Sequence, residues 1–182
     1  MTSFVEMMAK SRNDPAWFVE TVFGTSPCRK DSVIYHTLVR DPIVSVSKTK
    51  EMLKLSVYLA FWFLYSFENA KVVVVSPNQL ATLLWFEELH KAYWEASYDF
   101  GGELRADHFI ISPESFVLGV TPDTHDLEQL LGFVSPNSLF ILNGSTELLV
   151  EAQAVNMTLA CCENGKLLSL GKFDPRDLYA KS

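Results

Sequence analysis

In the segment SLFILNGSTEL (Ser138 to Leu148), four apolar residues, Leu139 to Leu142, run straight into Asn143-Gly144-Ser145. A buried parallel strand that ends in a reactive loop has this form, and in phosphoryl-transfer sites its tip carries carboxylates. One carboxylate holds Mg²⁺ and the other positions the attacking water. Here the two tip positions are an amide, Asn143, and a glycine, Gly144. An amide ligates Mg²⁺ poorly, and a glycine cannot take up a proton. Glu147 lies near in sequence, but it falls a turn into the helix expected next.

A second segment, VSKTKEML, joins a short strand (Pro42 to Val46) to an apolar helix, which is the place of a phosphate-binding loop. Such a loop needs glycines so that backbone N–H groups can close on the phosphates, a lysine for the terminal oxygens and a hydroxyl for the metal. Ser47, Lys48, Thr49 and Lys50 offer charge and hydroxyls, but the loop has no glycine. It reads more readily as a solvated polar turn. A third loop, Gly171 to Asp174, contains Lys172 and follows the expected last strand. Ligands of open α/β sheets lie at strand carboxyl ends, which singles out these three loops.

Other constellations are weaker. His36, His90, His108 and His125 show no metal-ligand spacing, and the three cysteines, Cys28, Cys161 and Cys162, form no CxxC pair, so no metal is expected. Cys161-Cys162 close a helix and read as packing residues. Asp123, His125 and Asp126 cluster where a short helix begins, and capping accounts for them. Trp85, Phe86, Tyr93 and Trp94 crowd one helix. They read as core with one exposed edge, or as a partner-binding surface.

The elements that must position these loops alternate. Asp14-Pro15 starts a helix that Gly24 closes, and Ser26-Pro27 opens another towards Val39. KVVVVSP (Lys71 to Pro77) is a strand buried on both faces. Asn78 caps a long helix whose apolar stripe is Leu80, Leu83, Leu84, Phe86, Leu89, Ala92 and Tyr93. His108 to Ser112 and Ser115 to Val120 form a hairpin. Thr121-Pro122 opens a helix from Asp123 to Leu131, a further helix runs from about Glu147 to Ala160, and Lys166 to Leu170 is the last strand. The order predicts one α/β domain over residues 1–182, with helices over about 1–40 leading into a three-layer, mostly parallel sheet covered by helices on both faces.

With 48% hydrophobic and 20% charged residues, the chain is a folding one. A net charge of -7 argues against a dominant nucleic-acid surface, so any such contact is weak or indirect. Leu55 to Phe67 is almost wholly apolar, but it is far shorter than the ~20 residues a bilayer span needs. The start of the chain has no basic, apolar leader, and the cysteine usage suits a reducing compartment, so a cytoplasmic location is expected, in a host cell or with a virion.

The order of segments resembles the N-terminal ATPase domain of the large terminase subunit, the DNA-packaging motor of tailed phages. DPAWFVETVFG is similar to that family's opening helix. IVSVSKTKEMLKLSVYLAFWFLY is similar to its strand, phosphate loop and helix, KVVVVSPNQLATLLWFEEL to the next unit, LLGFVSPNSLFILNGSTEL to its acid-bearing strand, and GKLLSLGKFDP to its coupling strand. The likeness covers Asp14 to Asp174, in order and with small deletions. It implies a P-loop NTPase-like fold and places the family's functional residues. The phosphate-loop lysine falls on Met52, the metal-binding Asp and catalytic Glu on Asn143 and Gly144, and the coupling Asn on Lys172; only the glutamine at Gln79 is kept. The implied protein is a catalytically inactive relative, with no nuclease domain and no cofactor, acting through a protein partner or self-association in packaging or a related phage process. Two alternatives stand beside it. One is a divergent ATPase binding ATP and Mg²⁺ with Ser47, Lys48, Thr49, Lys50, Gln79 and Lys172. The other is a structural virion or assembly protein on the same scaffold.

Overall fold

A computed structural model of the chain describes residues 4–46, 50–144 and 149–171. Three helices come first: α1 (Phe4–Asn13), α2 (Pro15–Phe23) and α3 (Arg29–Arg40). The sheet and its helices follow as β1 (Ile43–Val46), α4 (Lys50–Ser66), β2 (Lys71–Val75), α5 (Gln79–Glu95), β3 (Glu103–Leu104), β4 (His108–Ser112), β5 (Ser115–Val120), α6 (Leu127–Gly132), β6 (Asn137–Asn143), α7 (Leu149–Leu159) and β7 (Asn164–Leu170).

The strands join one seven-stranded sheet in the order β1-β7-β6-β2-β5-β4-β3. β1, β7, β6, β2 and β5 run parallel, while β4 and β3 add an antiparallel edge. Alternate residues of each strand serve opposite faces. Val72, Val74, Leu139, Ile141, Leu168 and Leu170 enter one core cluster with α2 to α5. Val73, Val75, Phe140, Leu142 and Leu167 enter a second, against Leu130 of α6 and Val155 and Leu159 of α7. The predicted α/β architecture, with a mostly parallel sheet and helices on both faces, is therefore the one observed.

Burial of α4 is nearly continuous: every residue from Leu55 to Leu64 is under 9% exposed. It lies over the sheet and is roofed by α1, α2 and α5, so an all-round apolar sequence is what its place demands. The two buried indoles are paired: that of Trp62 donates to the Ser11 carbonyl and that of Trp85 to Ser56 Oγ at 2.9 Å. Among the described residues no helix is long and apolar enough to cross a membrane.

Element ends depart from expectation where capping chemistry chose differently. α3 starts at Arg29 rather than at Ser26-Pro27, because Ser26 Oγ donates to Glu20 Oε1 (3.1 Å) and the cap falls to Cys28. α6 starts at Leu127 rather than at Asp123. A reciprocal capping box between Asp126 and Gln129 sets it, while Thr124 Oγ1 accepts from the Thr121 N–H and holds the preceding residues in a turn. The expected stripe of α5 is also rotated. Thr82, Trp85, Phe86, Leu89 and Ala92 are buried, whereas Leu80, Leu83 and Leu84 are exposed. The Trp85 ring, fully buried beside Phe86, takes the place that the expected stripe gives to leucines. Gly119 of β5 makes that approach feasible, since a Cβ there would lie 2.6 Å from Thr82 Cγ2 and 2.8 Å from the Phe86 ring.

Candidate functional site

The parallel strands end together along one edge. Register pairs Val46 with Leu170 and Leu170 with Asn143, and one residue past the Val75–Leu142 pair brings Ser76 beside Asn143. The tips of β1 and β6 are separated by β7 alone, about 10 Å apart at two strand spacings. That separation would let a phosphate chain reach from a loop after β1 to a metal held at β6.

Asn143 is the best-defined polar group on this edge. It is 1% exposed, and its Nδ2 donates to Ser76 Oγ (3.1 Å) and to the Ala81 carbonyl (3.1 Å) in the first turn of α5. The acceptor at Ala81 fixes the amide orientation, because the amide oxygen placed there would face a carbonyl oxygen. The other amide atom, Oδ1, is buried without a hydrogen-bond partner among the described residues. Gly144, also buried, follows. A Cβ on Gly171 would lie 2.7 Å from the Gly144 carbonyl oxygen, and the Gly171 N–H donates to the Val46 carbonyl (2.9 Å). Two bare backbones thus meet where the resemblance expects a catalytic glutamate.

Other expected site residues are less closely gathered. Ser47, Lys48, Thr49 and Lys172 lie outside the described residues, as does Glu147. Lys50 opens α4, and Gln79 opens α5 as an exposed residue. Met52, at the lysine position of the resemblance, packs against the larger core cluster and is not a charged group aimed at the edge. Next to the β1 tip, a cleft of about 760 Å³ is lined by Arg29, Lys30, Val33, Ser45, Glu51 and Met52. Its two cations, Arg29 and Lys30, come from the first turn of α3, and no motif in the chain marks them.

The histidines are dispersed. His90 Nε2 meets the Arg105 carbonyl at 2.7 Å, His108 Nδ1 meets Asp107 at 2.8 Å, and His125 Nδ1 meets Thr124 Oγ1 at 2.9 Å. Among the described residues no three His, Cys, Asp or Glu side chains are grouped to hold a metal ion. Cys161 and Cys162 each turn their thiols back towards carbonyls of α7, those of Met157 and Thr158, and burial raises the Cys162 pKa. Ser76 was not singled out in the sequence. Its only signal is a hydroxyl following four valines at the end of a buried strand.

Fold and edge define an α/β protein with a mostly parallel sheet, whose carboxyl edge is the candidate ligand position on general grounds. Comparison with known proteins adds no family: no family model matches the chain, and no curated protein matches it.

Proposed function

We propose that this chain is a catalytically inactive, terminase-ATPase-like scaffold that works by binding a protein partner or a second copy of itself. The carrying observation is the state of Asn143. A P-loop-type site needs a carboxylate at this strand tip, free to hold a metal. Here the tip residue is a buried amide whose donor is spent on Ser76 and Ala81. The packing of Met52 against the core supports the same reading, since it stands where the resemblance puts the lysine of a phosphate loop. The strand order supports the scaffold, because β1 and β6 stand at the spacing a nucleotide would bridge. A binding role draws support from α5, which turns Leu80, Leu83, Leu84 and the 78% exposed Trp94 to solvent.

Calorimetry with ATP and ADP in the presence of Mg²⁺, followed by a phosphate-release assay, tests this directly. No micromolar binding, no turnover and a defined oligomer in light scattering are expected. Micromolar binding with turnover overturns the proposal.

One observation favours a second reading, a retained nucleotide site: Arg29 and Lys30 line the cleft beside the β1 tip. In that reading Lys48 or Lys50 replaces the missing lysine, and Lys48→Ala or Lys50→Ala weakens nucleotide binding. Unchanged affinity in both variants removes it.

A further inference from the structure

A second cleft, of about 520 Å³, opens at the opposite, amino edge of the sheet. Asn137 and Asn164 begin β6 and β7 there as register partners, and Glu68 precedes β2. Arg12, at the end of α1, and Lys166, on β7, line the same space.

Lys166 is out of place by composition. It occupies the face of β7 that next carries Leu168 and Leu170 into the larger core cluster. Burial pulls its pKa down, with Asp41 pulling the other way. No carboxylate among the described residues lies within ion-pairing distance of it or of Arg12. Each cation is instead pinned by a helix C-terminus. Lys166 Nζ donates to the Val39 carbonyl of α3 (3.1 Å), and Arg12 Nε donates to the Ser66 carbonyl of α4 (2.6 Å).

Capping uses one N–H of each group and fixes its position. The Arg12 Nη donors and the other two ammonium hydrogens of Lys166 remain for a ligand. An amide chain orders the adjoining wall: Asn164 Nδ2 donates to Asn137 Oδ1 (2.7 Å), and Asn137 Nδ2 donates to the Glu68 carbonyl (2.7 Å). Glu68 and Glu163, both exposed, share the lining and repel polyanions.

We infer that this amino-edge cleft is a binding site for a small molecule bearing a single oxyanion, carboxylate or phosphate, held between Arg12 and Lys166. Two pre-positioned cations, one of them partly desolvated, form charge-assisted hydrogen bonds to such a group at little ordering cost. The two exposed glutamates disfavour nucleic acid and polyphosphate chains. The site is independent of the strand-tip edge and of what that edge binds.

Titration of the full chain with inorganic phosphate and with acetate, at constant ionic strength and with chloride as reference, tests the site by calorimetry or amide shifts. Saturable millimolar binding of at least one probe is expected, and the preferred probe names the ligand's headgroup. Lys166→Met and Arg12→Gln each weaken it about tenfold or more, as loss of one charged hydrogen bond implies. Lys91→Gln, which removes an equal charge from an exposed position on α5, leaves it unchanged. Because Arg12 is exposed, its variant reads the site without disturbing the sheet. Failure of both probes to saturate overturns the inference. So does an equal loss in Lys91→Gln, or an effect in fewer than both cleft variants.

Discussion

Asn143 and Ala81 are joined by a hydrogen bond of 3.1 Å, from the amide at the tip of β6 to a carbonyl in the first turn of α5. The bond ties the sheet's carboxyl edge to the helix that covers it. Asn143→Asp would exchange the donor for a carboxylate oxygen facing that carbonyl in a buried place. A loss of about 3 kcal/mol is expected in urea unfolding. The buried carboxyl's pKa rises, so the deficit is smaller at acid pH and grows as pH climbs above the ordinary carboxylate range. No ATP hydrolysis is gained. A variant of undiminished stability that hydrolyses ATP would contradict the proposed function.

Gly171 approaches the Gly144 carbonyl so closely that a methyl group would sit 2.7 Å from its oxygen. Gly171→Ala therefore forces β7 and β6 apart at their tips. A cost of about 1–3 kcal/mol in thermal or denaturant unfolding is expected.

Ser169 is fully buried, and its hydroxyl has no partner among the described residues. Ser169→Ala removes that unmet donor and raises stability by about 1 kcal/mol. An unchanged or lower urea midpoint would show that the hydroxyl is satisfied in solution.

The rotation of α5 yields a paired test. Leu84→Gln, on the exposed face, changes stability by no more than about 0.5 kcal/mol, whereas Leu89→Ala, fully buried, costs about 2–5 kcal/mol. Equal effects would mean that another surface covers Leu84.

Alkaline stability should be limited by tyrosine. Burial raises the pKa of Tyr35, with Asp31 adding to it, and burial likewise raises that of Tyr65, whose hydroxyl donates to the Phe100 carbonyl at 2.8 Å. Both folded values lie above the unfolded one of about 10. Their contribution is complete below that pH and is lost as pH rises beyond it. Lys166, shifted down by burial, acts oppositely over the range up to its ordinary value, but it is one group against two. Tyr35→Phe should flatten the decline in a series of denaturant midpoints from pH 9 towards about pH 11.

Much of the fold was legible because it rests on local signals. Unbroken valines from Val72 to Val75 allow only a strand covered on both faces, and Asn78 caps α5 as its side chain suggests, accepting from the Ala81 N–H at 2.9 Å. Signals that compete were harder to read. Thr121-Pro122 and Asp126 both announce a helix start, and the reciprocal Asp126–Gln129 bonds win. The face of α5 depends on Gly119, in a strand distant in sequence, which periodicity within the helix cannot register. At the strand tip the sequence showed an amide and a glycine, Asn143 and Gly144. It did not indicate that the Asn143 amide would be turned inwards, because its partners Ser76 and Ala81 carry no motif.

The strand order also constrains how the molecule is assembled. Among the described residues β1 pairs with β7 alone, and β7 comes some 120 residues later in the chain. During synthesis, the earliest strand must wait for the latest before it can dock, so formation of this half of the sheet is a slow, long-range event. Until then α4, which packs on β7 as well as on β2, β5 and β6, lacks part of its floor, and the apolar surface left open is the kind that promotes aggregation of an unfinished chain.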